Sequence, residues 1–164
     1  MSGRSLEGWL GYISTQHPSA IAMGLARVHE VWTRMDLPAP PVTVTVGGTN
    51  GKGSTCAILE RILLESGYRV GLYTSPHLLR YNERVRVGGE DCADAALVQS
   101  FEAVERARKG TSLTYFEYAT LGALAHFAQA KVEAAVLEVG LGGRLDAVNI
   151  IDADCAIVAS VDLD

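Results

Sequence analysis

The chain has 164 residues, a formal net charge of −5 and a pI of about 5.3, a length that suffices for one compact domain with its own core. Its acidity argues against a general nucleic-acid surface, and no run reaches the roughly 18 apolar residues of a membrane span. The start of the chain lacks the long apolar core of a signal peptide. Cys56, Cys92 and Cys155 show no metal-like spacing, and Cys56 and Cys155 lie in apolar runs. We therefore expect reduced thiols, those two in the core, and a cytoplasmic location.

The first forty residues have a helical pattern. Apolar side chains recur at helical spacing over residues 5–35, and His17-Pro18 interrupts them because proline disfavours helix at the residue before it. The proline-rich stretch 37–41 is predicted to be an extended connector. We therefore predict an N-terminal helical segment and connector over residues 1–41.

From residue 42 onward, predicted strands and helices alternate. Continuous apolar runs are typical of strands buried on both faces, and the pair Gly88-Gly89 predicts a tight hairpin turn. The alternation predicts an α/β fold with a mainly parallel sheet. The predicted strands are 42–46, 69–73, 84–87, 134–139 and 156–161, and the predicted helices are 54–66, 94–107 and 115–130.

A glycine-rich loop, residues 47–55, separates the first strand from the first helix of this region. Glycines let the backbone turn tightly with its N–H groups inward, and the helix N-terminus adds partial positive charge. Lys52 would reach the outer phosphates of a nucleotide, and a hydroxyl of Ser54 or Thr55 could approach Mg²⁺. This order of elements predicts a nucleoside triphosphate site.

The loop departs from the strict phosphate-loop pattern at two positions. Val46 stands where that pattern has its first glycine, and Gly53 separates Lys52 from the hydroxyl residue. A glycine-rich turn with an exposed lysine is therefore the alternative interpretation.

Polar side chains at other strand ends add to the prediction. In parallel sheets, ligands bind beyond the carboxyl ends of the strands, where we place Ser75, Glu138, Asp162 and Asp164. The hydroxyl of Ser75 and the carboxylate of Glu138 are hard oxygen ligands of the kind that Mg²⁺ prefers.

Both of these residues also have structural interpretations. Ser75, which precedes Pro76, could simply shape a turn. Glu138 could be a buried acid paired with Arg144, since an acid in an apolar strand needs compensation.

Taken together, these motifs resemble the folylpolyglutamate synthases and dihydrofolate synthases of the Mur ligase superfamily, most of all the bacterial bifunctional form. The resemblance covers essentially the whole chain. It is carried by residues 9–28, 48–54 (GTNGKGS), 72–78 (LYTSPHL), 80–84 (RYNER), 113–118 (LTYFEY) and 137–147 (LEVGLGGRLDA).

The resemblance implies an ATP- and Mg²⁺-dependent ligase, with room for a monovalent cation such as K⁺. Such an enzyme phosphorylates the carboxylate of dihydropteroate or folate, and the amine of L-glutamate then attacks the acyl phosphate. The residues 77–84 would help to shape the folate pocket, and Lys52 would be the catalytic residue. Carried onto this sequence, the implied sites are Thr49, Asn50, Gly51, Lys52, Gly53 and Ser54 for the nucleotide, Ser75 and Glu138 for the metal, and Thr114, Tyr115, Phe116, Glu117 and Leu145 for the pteridine.

The length departs from the pattern of these enzymes, which have a second, C-terminal domain. In them a histidine follows the pair Leu163-Asp164 as a further metal ligand, and this sequence stops before it. We therefore expect residues 42–164 to be a partial ATP-binding domain of the Mur ligase type, with an unpaired sheet edge that promotes self-association. We expect this chain alone to be inactive, and the complete protein to be a monomer with small-molecule partners, no nucleic acid and no membrane.

Three alternatives remain at this stage. One is a Mur-type ligase for a cell-wall precursor, and another is a remnant that binds a nucleotide or pterin without turnover. The third is a generic phosphate-loop kinase or partitioning ATPase.

Overall fold

The fold is described from a computed structural model that covers residues 3–162. Helix α1 (Leu6–Ile13) begins at Ser5, whose hydroxyl oxygen accepts a hydrogen bond from the Gly8 N–H at 3.2 Å. A loop over residues 14–25 separates it from helix α2 (Ala26–Met35). The predicted interruption near His17 is thus confirmed.

A six-stranded mixed sheet follows, in the order β4-β3-β2-β5-β1-β6. The four strands β2, β5, β1 and β6 pair in parallel, and β3 and β4 form the predicted antiparallel hairpin. The α/β class with a mainly parallel sheet is therefore confirmed. The strands are β1 (Val42–Gly47), β2 (Val70–Tyr73), β3 (Val85–Val87), β4 (Glu90–Asp91), β5 (Ala134–Glu138) and β6 (Cys155–Val158), and the remaining helices are α3 (Lys52–Glu65), α4 (Asp94–Arg108) and α5 (Tyr115–Gln129).

Two apolar clusters hold the layers together. The larger one joins the sheet to α1, α2, α4 and α5, so the N-terminal helices share one core with the sheet. The smaller one lies between the sheet and α3 and includes Val46, Cys56 and Leu72. None of the helices within residues 3–162 combines the length and apolar character that crossing a bilayer requires.

Strand β6 differs from its prediction as a strand buried on both faces. Within the described sheet it pairs with β1 alone, at the end of the strand order, and Val158 is 67% exposed. Cys155 is exposed for the same reason, so its prediction as a core residue was wrong, whereas Cys56 is buried. An apolar strand is buried only when neighbours cover it, which its own sequence does not decide.

A partly buried polar network joins α1, α4 and α5. The Glu105 carboxylate accepts hydrogen bonds from Tyr12 Oη at 3.0 Å, from Tyr118 Oη at 2.9 Å and from Arg108 Nε at 2.7 Å. Burial alone would raise the pKa of Glu105, but the hydrogen bonds from Arg108, Tyr118 and Tyr12 outweigh it and hold that pKa below its ordinary value. The network therefore stabilises the fold above the unfolded-state pKa and loses this contribution as pH falls through the lower folded-state pKa.

We expect Glu105→Ala to destabilise the fold by about 3–5 kcal/mol, because it leaves the Arg108 guanidinium buried without its carboxylate partner. Urea unfolding at pH 7 measures this change. Glu102→Ala is the matched control, since Glu102 is on the same helix and has no ion pair among the described residues. Similar midpoints for the two variants would contradict the prediction.

Candidate active site

The predicted site residues gather at one edge of the sheet. The glycine-rich loop follows β1, Ser75 follows β2, and Glu138 is the last residue of β5. Since β2, β5 and β1 are adjacent and parallel, their carboxyl ends meet at this edge.

The glycine-rich loop depends on two glycines in the left-handed region. Gly48 has a φ of 128°, and a Cβ there would lie 2.6 Å from the carbonyl oxygen of Ser160, which also accepts a hydrogen bond from the Thr49 N–H at 2.7 Å. Gly51 has a φ of 79° and precedes α3 with no side-chain cap. The first N–H groups of α3, on residues 52–54, therefore have no partner among the described residues.

Lys52 lies at the centre of this loop. Its ammonium group donates hydrogen bonds to the carbonyl oxygens of Gly48 at 2.7 Å and Thr49 at 3.2 Å. It forms no ion pair within residues 3–162. Its charge nevertheless acts on Glu138, whose pKa it lowers.

Glu138 is a buried acid that faces the loop. One carboxylate oxygen accepts a hydrogen bond from the Ser75 N–H at 2.9 Å, and the other lies 3.9 Å from where a Cβ on Gly53 would stand. Burial raises the pKa of Glu138 above its ordinary value, against the opposing effects of that N–H and of Lys52. Arg144 forms no ion pair among the described residues, so the pairing considered from the sequence is absent.

Of the hydroxyl groups near Glu138, one forms a hydrogen bond within the described residues and two do not. Thr55 donates its hydroxyl hydrogen to the Gly51 carbonyl at 2.9 Å, whereas the hydroxyl groups of Ser54 and Ser75 have no partner in the described part of the chain. The described residues contain no cluster of three or more His, Cys, Asp or Glu side chains that could hold a metal. One carboxylate with free hydroxyl groups fits Mg²⁺, which keeps several waters and takes its other ligands from phosphates.

The segment after β6 also approaches the loop. The hydroxyl of Thr49 lies 3.2 Å from the backbone nitrogen of Asp162 and 3.3 Å from its carbonyl oxygen. Asp164, the other acid predicted at this edge, lies outside the described residues.

A cavity of about 330 Å³ adjoins this site. Its walls come from residues 20–24, Arg84, the start of α5, residues 140–141 and residues 145–147. Ser75 and Pro76 line it at the side of the sheet edge. Four of the five residues predicted for the pteridine line it, namely Thr114, Phe116, Glu117 and Leu145.

Tyr115, the fifth of these residues, does not line the cavity. Its ring lies 6.4 Å from that of Tyr81, on another side of α5. Successive helical residues point about 100° apart, so Tyr115 and Phe116 face different neighbours.

Glu117 lines the cavity and also stabilises the start of helix α5. It completes a capping box with Thr114, in which the Glu117 carboxylate accepts from the Thr114 N–H at 2.7 Å. Its other oxygen accepts from Arg27 at 2.7 Å. Arg27 also donates to the carbonyl oxygen of Ala22 at 2.9 Å, which ties the 20–24 loop to the cavity.

Asp146 is a cavity residue to which the sequence analysis gave no role. It is 4% exposed, and its carboxylate accepts hydrogen bonds from the N–H groups of Gly140, Leu141 and Val148 at 2.9–3.1 Å. Burial raises the pKa of Asp146, and these N–H groups oppose the rise. An aspartate just before a short 3₁₀ helix was the only local signal, since Asp146 caps the helix Ala147–Ile150.

We expect Asp146→Ala to cost about 1–3 kcal/mol, because it leaves backbone N–H groups around the cavity without an acceptor. Thermal unfolding measures the loss. Asp152→Ala, which removes an exposed acid nearby, is the control and should unfold within error of the parent chain. Equal stability of both variants would contradict the assigned role of Asp146.

The chain resembles known proteins over nearly its whole length, although no protein-family model matches it. It is 54% identical over 160 residues to the dihydrofolate synthase/folylpolyglutamate synthase of Escherichia coli strain K12. The aligned region covers 97% of this chain and 38% of that protein. The protein of the same name from Haemophilus influenzae is 53% identical over 160 residues, with coverages of 97% and 36%.

A solved structure has the same fold. The Escherichia coli FolC structure in complex with DHPP and ADP superimposes with a TM-score of 0.96 at 53% identity, over 99% of this chain and 39% of that one. The structure of a Yersinia pestis folylpolyglutamate synthase/dihydrofolate synthase complexed with AMPPNP and a Mn ion superimposes with a TM-score of 0.93 at 52% identity. That match covers 98% of this chain and 40% of the other. The chain thus spans about two fifths of the relatives that it matches. By sequence and by fold, it is similar over nearly its whole length to the dihydrofolate synthase/folylpolyglutamate synthases.

Proposed function

We propose that the protein to which this chain belongs is an ATP-dependent ligase of folate synthesis. It joins L-glutamate to 7,8-dihydropteroate and extends the polyglutamate tail of folates. The observation that carries the proposal is the position of Ser75, which lines the 330 Å³ cavity and donates its N–H to Glu138 beside the phosphate-type loop. A ligand in the cavity would therefore meet a nucleotide at this edge of the sheet.

The cavity suits a flat, polar heterocycle. Phe116 supplies an aromatic wall, and its ring is held against the backbone of Gly140, where a Cβ would come within 2.6 Å of the ring. A carboxylate has about four acceptor positions. Three backbone N–H groups occupy three of the four positions on Asp146. The remaining position suits an N–H donor of a pteridine.

The loop and its neighbours suit the phosphates. The free N–H groups at the start of α3, together with Lys52, would bind the β- and γ-phosphates. The residues proposed for the nucleotide are Thr49, Asn50, Gly51, Lys52, Gly53 and Ser54, and those proposed for Mg²⁺ are Ser75 and Glu138. When bound, Mg²⁺ would neutralise phosphate charge, and the AMPPNP and Mn ion of the Yersinia pestis relative support this choice.

The chemistry that this arrangement serves has two steps. A carboxylate oxygen of the substrate attacks the γ-phosphorus, its new O–P bond replaces the bond to the bridging oxygen, and ADP leaves. The amine of glutamate then attacks the acyl carbon and displaces phosphate, which gives the amide. The first step joins two anions, so positioning and charge neutralisation by Lys52 supply the catalysis.

We propose that residues 42–164 belong to an ATP-binding domain and that residues 1–41 are its helical segment and connector. The chain matches about two fifths of its relatives, and we propose that by itself it binds ligands without turnover. The free thiols of Cys56 and Cys92 suit a reducing compartment, and we place the protein in the cytoplasm.

The test measures binding and turnover separately on this chain. Calorimetric titrations with pteroate and with Mg²⁺-ATP should both give saturable binding, and coupled detection of ADP with glutamate and dihydropteroate present should give no release. The absence of binding by pteroate would refute the proposal. ADP release at the rate of a complete ligase would refute only the prediction that this chain is inactive.

Two alternatives have distinct outcomes in the same assays. A binding remnant requires that the complete protein, too, binds ATP without releasing ADP. A cell-wall ligase of the Mur type requires binding of a nucleotide-linked muropeptide in preference to pteroate. The aromatic cavity and the relatives both favour the folate substrate.

A further inference from the structure

Arg84 lines the cavity and carries a positive charge that no carboxylate among the described residues pairs with. The side chain is half-buried, and its two terminal nitrogens have no hydrogen-bond or ion-pair partner within residues 3–162. The other partly or fully buried arginines among the described residues are each paired with a carboxylate: Arg27 with Glu117, Arg86 with Glu60, and Arg108 with Glu105. A partly desolvated cation without a partner favours an anion from outside the described residues.

The guanidinium of Arg84 is held from several directions. Its Nε donates a hydrogen bond to Nδ1 of His77 at 2.8 Å, so that nitrogen of His77 must be the acceptor. The guanidinium carbon lies 5.7 Å from the ring centre of Tyr81 and 5.7 Å from that of Tyr115, both within the range of cation–π attraction. The hydrogen bond occupies Nε and the two tyrosine rings lie close to the guanidinium group, so the two terminal nitrogens remain available to a ligand.

The anchoring rings are themselves fixed. Tyr81 is 4% exposed and packs edge-to-face on Phe101, 5.7 Å between ring centres. Tyr115 starts helix α5, whose capping box sets its orientation. The guanidinium is thus positioned before a ligand arrives, which lowers the entropic cost of binding.

We propose that Arg84 binds the carboxylate of the ligand in the cavity, and that His77, Tyr81 and Tyr115 are positioning residues for its guanidinium. This inference rests on the proposed function and adds a basis for selectivity. Arg84 and Ser75 line the same cavity, and Ser75 contacts Glu138. The Thr74 N–H donates a hydrogen bond to the carbonyl oxygen of Arg84 at 3.0 Å, so Arg84 lies next to the strand end that carries Ser75. A carboxylate bound to Arg84 would therefore be at the side of the cavity where the phosphate-type loop lies. The site would select pterins that carry an acid over pterins that do not.

The test compares two ligands on one set of variants. Pteroate carries the carboxylate, and 6-hydroxymethylpterin has the same ring system without it. We expect Arg84→Met to weaken pteroate binding by about 10–100-fold, the loss expected for hydrogen bonds to a charged group, and to leave 6-hydroxymethylpterin binding unchanged within about threefold. Arg106→Met is the control, since Arg106 is exposed on α4 and does not line the cavity.

The positioning residues have their own readout. His77→Phe removes the acceptor for Nε and should weaken pteroate binding selectively, whereas His77→Gln keeps an acceptor oxygen and should restore it. Tyr115→Leu should reproduce the selective loss without touching the cavity. Circular dichroism of each variant separates loss of binding from loss of fold.

The opposing outcomes are distinct. Equal losses for both ligands would mean that Arg84 only shapes the cavity, and unchanged binding would mean that it has no role there. Weaker Mg²⁺-ATP binding with unchanged pteroate binding would assign Arg84 to phosphate instead. Failure of the parent chain to bind either pterin would refute the proposed function, and this inference with it.

Discussion

Replacing Lys52 with methionine is expected to weaken the binding of ATP to this chain by about 100-fold, equivalent to about 2.7 kcal/mol. The ammonium group of Lys52 lies over the loop on the carbonyl oxygens of Gly48 and Thr49 and has no acid partner among the described residues. It is therefore free to exchange these bonds for charge-assisted bonds to phosphate oxygens, which are about twice as strong. Methionine keeps much of the length of the side chain and removes only the charge and the donors.

Calorimetric titration of ATP in the presence of Mg²⁺ measures this loss. Lys131→Met is the matched control, because Lys131 is an exposed lysine that precedes β5 at the opposite end of the strands. Adenosine, which has no phosphates, provides a second comparison and should bind both variants equally. An ATP affinity of Lys52→Met within threefold of that of the control would show that the loop is a glycine-rich turn with an exposed lysine.

Replacing Glu138 with glutamine is expected to have two opposite effects. Without ligands the variant should be more stable than the parent chain at pH 7, by about 2–4 °C in melting temperature for each kcal/mol gained. In the presence of nucleotide, its affinity for Mg²⁺ should fall by about 10–100-fold, because the carboxylate oxygen that the metal prefers is lost. Glutamine retains an oxygen to accept the Ser75 N–H.

The gain in stability follows from the direction of the pKa shift. Burial raises the folded-state pKa of Glu138 above its unfolded value. The contribution of such a group is fully present below the unfolded pKa and is lost as pH rises through the folded pKa. The carboxylate therefore opposes folding at neutral pH, and glutamine removes that cost. The advantage of Glu138→Gln should shrink as the pH is lowered.

Thermal unfolding of the ligand-free chain from pH 4 to pH 8, with Mg²⁺ titrations in the presence of ADP, measures both effects. Glu133→Gln is the control, because Glu133 is an exposed acid just before β5, at the opposite end of that strand from Glu138. A variant that is less stable at pH 7 and binds Mg²⁺ as well as the parent chain would show that Glu138 is a structural acid.

Local patterns in the sequence predicted most of the elements. The strand, glycines, lysine and helix of residues 42–65 and the two-glycine hairpin are confirmed, because neighbouring residues fix the stereochemistry of turns and helix starts. The same reasoning could not tell Tyr115 from Phe116 as a cavity residue. Both are aromatic residues at the start of one helix, and only the packing of α5 on the sheet decides which one faces the cavity.

Strand order decided the rest of the site. The insertion of β5 between β2 and β1 places Glu138 beside both Ser75 and Lys52, which are 63 and 86 residues away from it along the chain. The edge position of β6 leaves Cys155 exposed, although its sequence is as apolar as that of buried strands.

The sequence by itself thus determined the α/β class, the phosphate-type loop and the resemblance that pointed to the folate ligases. Only the tertiary structure decided that Asp146 lines a cavity and that Arg84 is held there by His77 and Tyr81. Local stereochemistry is set by residues close in sequence, whereas burial, charge pairing and cavity walls are set by groups that meet only when distant segments pack together.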